Sequence, residues 1–142
     1  MNRNMILAEW LRAYSSLQAA ENLTGDGLYA DAISRAYYAI LHAAKAGLHV
    51  HDVAAESHAA VRRMFGFHLI KSGEIEPNWS AYLTAGLDDR LAADYDVETE
   101  FSRKEARSEC IRAGEFLERI KQYLLKNGLK EAELRKRQRR RS

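Results

Sequence analysis

Two sets of residues in this chain have the types and spacing to handle a phosphodiester. Arg35 and His42 stand seven positions apart. On a helix that is two turns, so the pair shares one face with about 10 Å between them along the axis. A guanidinium holds phosphate bidentately, and an imidazole moves a proton near neutral pH. The second set is Arg90, Asp94 and Tyr95. Arg90 can again anchor a phosphate. A carboxyl of ordinary pKa about 4 and a phenol of about 10 are both poorly tuned to move its protons at pH 7.

Other chemistry finds less support. His49, His51, Asp52 and His58 resemble a metal set, but His49-x-His51 falls at a helix end and no further ligands are spaced to complete a shell. No metal is expected. Gly25-Asp26-Gly27 lacks the lysine and the preceding strand of a phosphate-cradling loop, and no cofactor is expected either. Cys110 is the single cysteine, which excludes an internal disulfide and reads as a buried small apolar residue in a reducing, cytoplasmic setting. Arg135, Lys136, Arg137, Arg139, Arg140 and Arg141 are candidate nucleic-acid contacts through counterion release, although exposed charge runs are usually only solvated.

The elements that must position these groups are helices. Leu7, Trp10, Leu11, Tyr14 and Leu17 recur at three- and four-residue steps, and Gly25-Asp26-Gly27 ends that segment. A second helix is predicted over 28–48, with Ile33, Tyr37, Ile40, Ala44 and Leu48 as a stripe among many alanines. Tyr37 and Tyr38 point about 100° apart on it, so both cannot enter one core. Ser57 caps a third helix carrying Val61, Met64, Phe65 and His68, which Ser72-Gly73 stops. Asn78 is the expected cap of a fourth, with Trp79, Tyr82, Leu83 and Leu87, leading to an exit at 94–97. Ser102 to Glu105 reads as a capping box, and Ala106, Cys110, Ala113, Leu117, Ile120 and Leu124 carry the last stripe to Asn127-Gly128. The prediction is all-α: an antiparallel bundle of four to five helices over 1–128, followed by a charged, basic tail over 129–142.

Composition agrees with that reading. The chain has 142 residues, one proline and 30% charged residues, as a single soluble helical domain would. The net charge is +2, yet the run from Arg135 to Arg141 carries six positive charges, so the rest is net −4. The first segment threads Arg3, Glu9 and Arg12 through its apolar residues, unlike a signal core or a membrane span.

Three blocks in register with these helices carry a family likeness. They are Ala32-Ile33-Ser34-Arg35-Ala36-Tyr37-Tyr38-Ala39 with its continuation through His42 to Ala46, the turn from Phe67 to Gly73, and Arg90-Leu91-Ala92-Ala93-Asp94-Tyr95-Asp96. Together they resemble the HEPN domain in its uncharacterised prokaryotic branch, over roughly residues 5 to 125. The resemblance implies a helical bundle that forms a homodimer through helix faces, and a nucleotidyltransferase partner in toxin–antitoxin fashion. It also implies RNA cleavage without metal, in those members with an Arg-x4-6-His motif near the start of the last core helix. At that place this chain has Arg90-x3-Asp94-Tyr95 and no histidine.

Two functions are therefore expected to compete. The first expectation is an interaction protein, a homodimer that binds a nucleotidyltransferase partner, with RNA as a further ligand and little or no nuclease activity of its own. The other is a metal-independent endoribonuclease anchored on Arg90, with Asp94, Tyr95 or a displaced His42 assisting. Arg35 is expected to pair with Asp94 or Asp31 and orient the helices. Trp10, Tyr37, Tyr38 and Trp79 exceed what one small core needs and are the expected dimer contacts.

Overall fold

Alanine decides where the centre of the bundle lies. Helix α2 (Tyr29–His49) buries Ala32, Ala36, Ala39, Ala43, Ala44 and Ala46 almost completely, along with Ile33, Tyr37, Ile40 and Leu48. Small side chains on several sides let neighbouring backbones approach closely, so α2 becomes the axis around which the others pack. The computed structural model describes residues 1–95 and 97–135, with the side chains at 87–89, 91, 92 and 95 outside that description.

Helix α1 (Arg3–Gly25) runs antiparallel to α2, and the Asn2 amide donates to the His49 carbonyl at 3.2 Å where their ends meet. Its buried face is Ile6, Trp10, Ala13, Ala20 and Thr24, while Leu7, Leu11 and Leu17 are only partly covered. The face is turned from the predicted one because α2 and α5 both press on it. Gly27, at φ +83°, makes the tight return. Helix α3 (His58–Phe65) is capped by Ser57, whose Oγ accepts from the Ala60 amide at 3.0 Å, and passes into a π-turn over Gly66–Ile70. A 3-10 turn, Pro77–Trp79, leads directly into α4 (Ser80–Tyr95), so Asn78 lies within this turn rather than at a helix cap. The capping box forms as expected: Glu105 N to Ser102 Oγ is 3.1 Å and Ser102 N to Glu105 Oε1 is 2.8 Å, opening α5 (Arg103–Lys126).

Among the described residues the fold is all-α, with four long helices, two short ones and no strand. None of the helices searched is long and apolar enough to cross a membrane. Cys110 is buried, 3.6 Å from Thr24 Oγ1 across the α1–α5 seam. Packing continues past Gly128. Leu129 is buried, and α6 (Glu131–Arg135) returns to α1, burying Leu134 while the Trp10 indole donates to the Leu134 carbonyl at 3.2 Å. The segment 129–135 thus belongs with the bundle, despite its high charge.

The aromatic surplus is used internally. Trp10 and Tyr37 are core residues, Trp79 stacks on Tyr82 at 4.8 Å, and Tyr38 meets Arg90. Tyr38 and Trp79 remain partly exposed beside these contacts.

One glycine sets how closely α4 approaches α2. A Cβ at Gly86 would sit 2.9 Å from Tyr37 Cδ1. Gly86→Ala must displace that ring or the helix, and should cost about 1–3 kcal/mol in urea unfolding. The same approach brings Arg90, one turn further along α4, against α2.

Candidate active site

Arg90 lies one helical turn beyond Gly86, where the close approach of α4 brings its guanidinium against α2 and α3. Nη2 donates to Tyr38 Oη at 2.9 Å, and the guanidinium carbon lies 5.0 Å from the Tyr38 ring centre. Nη1 is 3.3 Å from His58 Nε2. Nε is buried and 3.0 Å from Asp94 Oδ2, but not in line with it for a hydrogen bond. Asp94 therefore supplies charge at that edge rather than a directed contact. Each Nη carries a second N–H, so the fork retains donors for an incoming anion.

His58 is held from both ends. Its Nδ1 lies 2.9 Å from the hydroxyl of Tyr37, a residue only 2% exposed. A guanidinium can only donate, so Nε2 must accept from Arg90. The neutral ring then carries its proton on Nδ1 and donates to Tyr37 Oη. Burial, then the neighbouring Arg90 charge, pushes the His58 pKa below its ordinary 6.5. Burial drives the Tyr37 phenol up to about 12, so it stays protonated. The result is a neutral imidazole beside a fixed cation, partly open to solvent.

The sequence candidates are distributed unevenly around this centre. Arg90 and Asp94 are in it. Tyr95 is the last residue of α4, and its side chain lies outside the described residues. Arg35 and His42 share a face of α2 but not a site. Arg35 is exposed and, among the described residues, has no ion-pair partner, because Asp94 is taken by Arg90. His42 is covered by α1, with Nδ1 2.7 Å from Glu9 Oε1. Of the basic run, Arg135 is exposed at the end of α6, and Lys136, Arg137, Arg139, Arg140 and Arg141 lie outside the described residues. The metal-like histidines disperse: His51 pairs with Glu74 at 2.9 Å, Asp52 with the N-terminal amine at 2.7 Å, and His58 faces Arg90. Tyr37, Tyr38 and His58 were not anticipated here. The divergent tyrosine pair was a usable signal; nothing in the spacing tied His58 to an arginine 32 residues later.

The His42 contact is part of a structural network. Glu9 also lies 3.5 Å from Lys45, which reaches Glu56 at 3.3 Å. Burial alone would raise the Glu9 pKa, but the His42 hydrogen bond and the Lys45 charge outweigh it, and the net shift is below 4.5. A carboxylate lowered in this way contributes stability above pH 4.5 that is lost as pH falls through its folded value. Glu9→Gln should cost about 2 kcal/mol at pH 7 and progressively less toward pH 3, read as the difference between urea unfolding curves.

With the geometry in place, comparison with known proteins decides the family. The HEPN domain model matches residues 8–126. The chain belongs to the HEPN family. Two proteins of Methanocaldococcus jannaschii, each named "Putative toxin", are similar to it. One is 38% identical over 112 residues, covering 79% of this chain and 83% of that protein. The other is 34% identical over 120 residues, covering 84% and 82%. A UPF0332 protein of Pyrococcus horikoshii is 39% identical over 88 residues, 62% of each. In this HEPN protein the bundle is the one its resemblance implied, and the spatial neighbour of Arg90 is a histidine from a different helix.

Proposed function

We propose that this HEPN protein is the toxin-type member of a two-protein pair and a metal-independent endoribonuclease centred on Arg90. The observation that carries the reading is the contact between Arg90 and the neutral imidazole of His58. It supplies, across two helices, a phosphate anchor and a proton acceptor in contact, whereas Arg35 and His42 share a helix face but no site. The names of the Methanocaldococcus jannaschii relatives support the toxin assignment. The resemblance supports a nucleotidyltransferase-type partner and a homodimer, and the single cysteine supports a reducing, cytoplasmic setting.

The chemistry runs on this chain's own groups. A phosphate oxygen takes up Nη hydrogens of Arg90, which frees the Nε2 lone pair of His58. Nε2 accepts the proton of the ribose 2′-hydroxyl as the 2′-oxygen attacks phosphorus. The bond from phosphorus to the 5′-oxygen breaks, that oxygen takes a proton from water, and His58 returns its proton to solvent. The products are a 2′,3′-cyclic phosphate and a 5′-hydroxyl. Asp94 offsets part of the Arg90 charge, and Tyr37 holds the ring in the required tautomer. DNA lacks the attacking hydroxyl and is not a substrate.

The test is incubation of purified protein with a mixed RNA pool in chelator, beside a DNA pool of matching sequence. Cleavage of RNA alone, with cyclic-phosphate ends, is expected. RNA left intact by protein shown to be folded overturns the nuclease reading and returns the chain to a binding role.

A further inference from the structure

The Arg90 fork holds a second group that the chemistry above leaves idle. Tyr38 Oη accepts from Nη2 at 2.9 Å, and its ring centre lies 5.0 Å from the guanidinium carbon. Tyr37 and Tyr38 are adjacent on α2, yet their hydroxyls are placed differently. Tyr37 is 2% exposed and its oxygen is bound to His58 Nδ1. Tyr38 is half-buried and its oxygen lies at the fork. A guanidinium has no lone pair to offer, so the Tyr38 hydrogen must point away from Arg90. Among the described residues nothing accepts it. Arg90 therefore has a proton acceptor, His58 Nε2, at Nη1 and an uncommitted O–H donor at Nη2. Asp94 lies at the third edge, against Nε.

Displacement at phosphorus uses that order. The attacking and leaving oxygens are roughly in line on opposite sides of phosphorus, so the base and the acid must flank the anchor. With the two N–H directions of Nη2 about 120° apart, a phosphate oxygen on the second one lies about 5 Å from Tyr38 Oη. Another oxygen of the same phosphate fits between them. We infer that Tyr38 is the catalytic acid that protonates the leaving 5′-oxygen. The inference rests on the endoribonuclease reading and completes it, since the proton drawn from water reaches the leaving group through this phenol. As the bond from phosphorus to the 5′-oxygen breaks, the departing electron pair takes the Tyr38 hydrogen. Arg90, already donating to Oη, faces the phenolate that remains, and water returns a proton to it.

The test compares an RNA oligonucleotide with one carrying sulfur in place of the 5′-oxygen at the position wild type cuts. Both are measured in chelator under single turnover. A leaving alkoxide needs a proton and a leaving thiolate does not. Tyr38→Phe keeps the ring beside Arg90 and removes only the hydroxyl. It is expected to slow cleavage of ordinary RNA by about 10²-fold and to cut the sulfur-bridged RNA at the wild-type rate. His58→Gln should be slow on both, because its proton comes from the attacking hydroxyl. The ratio of the two rates in one preparation is independent of how much of the protein is folded. An equal loss on both substrates makes Tyr38 a support for Arg90 and overturns the acid role. Wild-type cleavage of ordinary RNA by Tyr38→Phe overturns it too. In either case the endoribonuclease reading stands. If wild type cuts neither substrate, that reading falls and the acid falls with it.

Discussion

Replacing Arg90 with alanine should lower RNA cleavage by about 10³-fold and leave the helical circular-dichroism spectrum unchanged. The size follows from what is lost: a positioned cation with free N–H groups in a partly buried site, where single preorganised donors are worth about 10²–10³ in rate. The spectrum should hold because α4 is fixed by Leu83 and by Gly86 against Tyr37, not by the guanidinium. Arg90→Lys keeps the charge but loses the planar fork, so it should recover only a small part of the rate. Full activity in Arg90→Ala would remove Arg90 from the chemistry.

His58→Gln separates proton transfer from binding. Glutamine fills similar space and still offers an acceptor to Arg90, but it cannot take up a proton. Cleavage should fall by about 10²–10⁴-fold while RNA affinity stays near wild type. The pH profile adds a second signature. Wild-type kcat/KM should rise with pH through a value below 6.5, the direction in which burial and Arg90 move the imidazole, and level off by neutral pH. His58→Gln should lose that limb. Stability follows the same proton: the unfolded chain binds it more readily, so stability falls as pH drops from 6.5 through the folded value. A His58→Gln protein that cleaves with the wild-type profile would exclude the imidazole as proton acceptor.

How far the sequence led can be judged residue by residue. The capping box at Ser102, the cap at Ser57 and the burial of Cys110 were readable because each is local or follows from residue type. Helix periodicity placed α2 to within a residue of its ends. The face of α1 was misjudged, since several of its sides carry apolar residues and only its neighbours decide which is covered. Leu129 and Leu134 were hidden by the charge around them, although two leucines suffice to dock a short segment on Trp10. The site shows the same division. Arg90 and Asp94 are an i, i+4 pair on one helix and could be found from spacing. His58 reaches Arg90 only through the packing of α3 against α4, which no period encodes. The stretch after Arg90 holds no histidine, and the structure sets one beside it from another helix.

The indole hydrogen bond between Trp10 and Leu134 has a consequence for the order of synthesis. A chain made from its N-terminus produces α1 first, yet the partner that covers Trp10 is among the last described residues to emerge. Helices α2, α3 and α4, which hold the Arg90 centre, are all translated in between. On the ribosome the centre's own helices are complete while one side of α1 still lacks its cover. Final closure of the first helix therefore waits for residues 129–135, and full stability arrives with them rather than with the site.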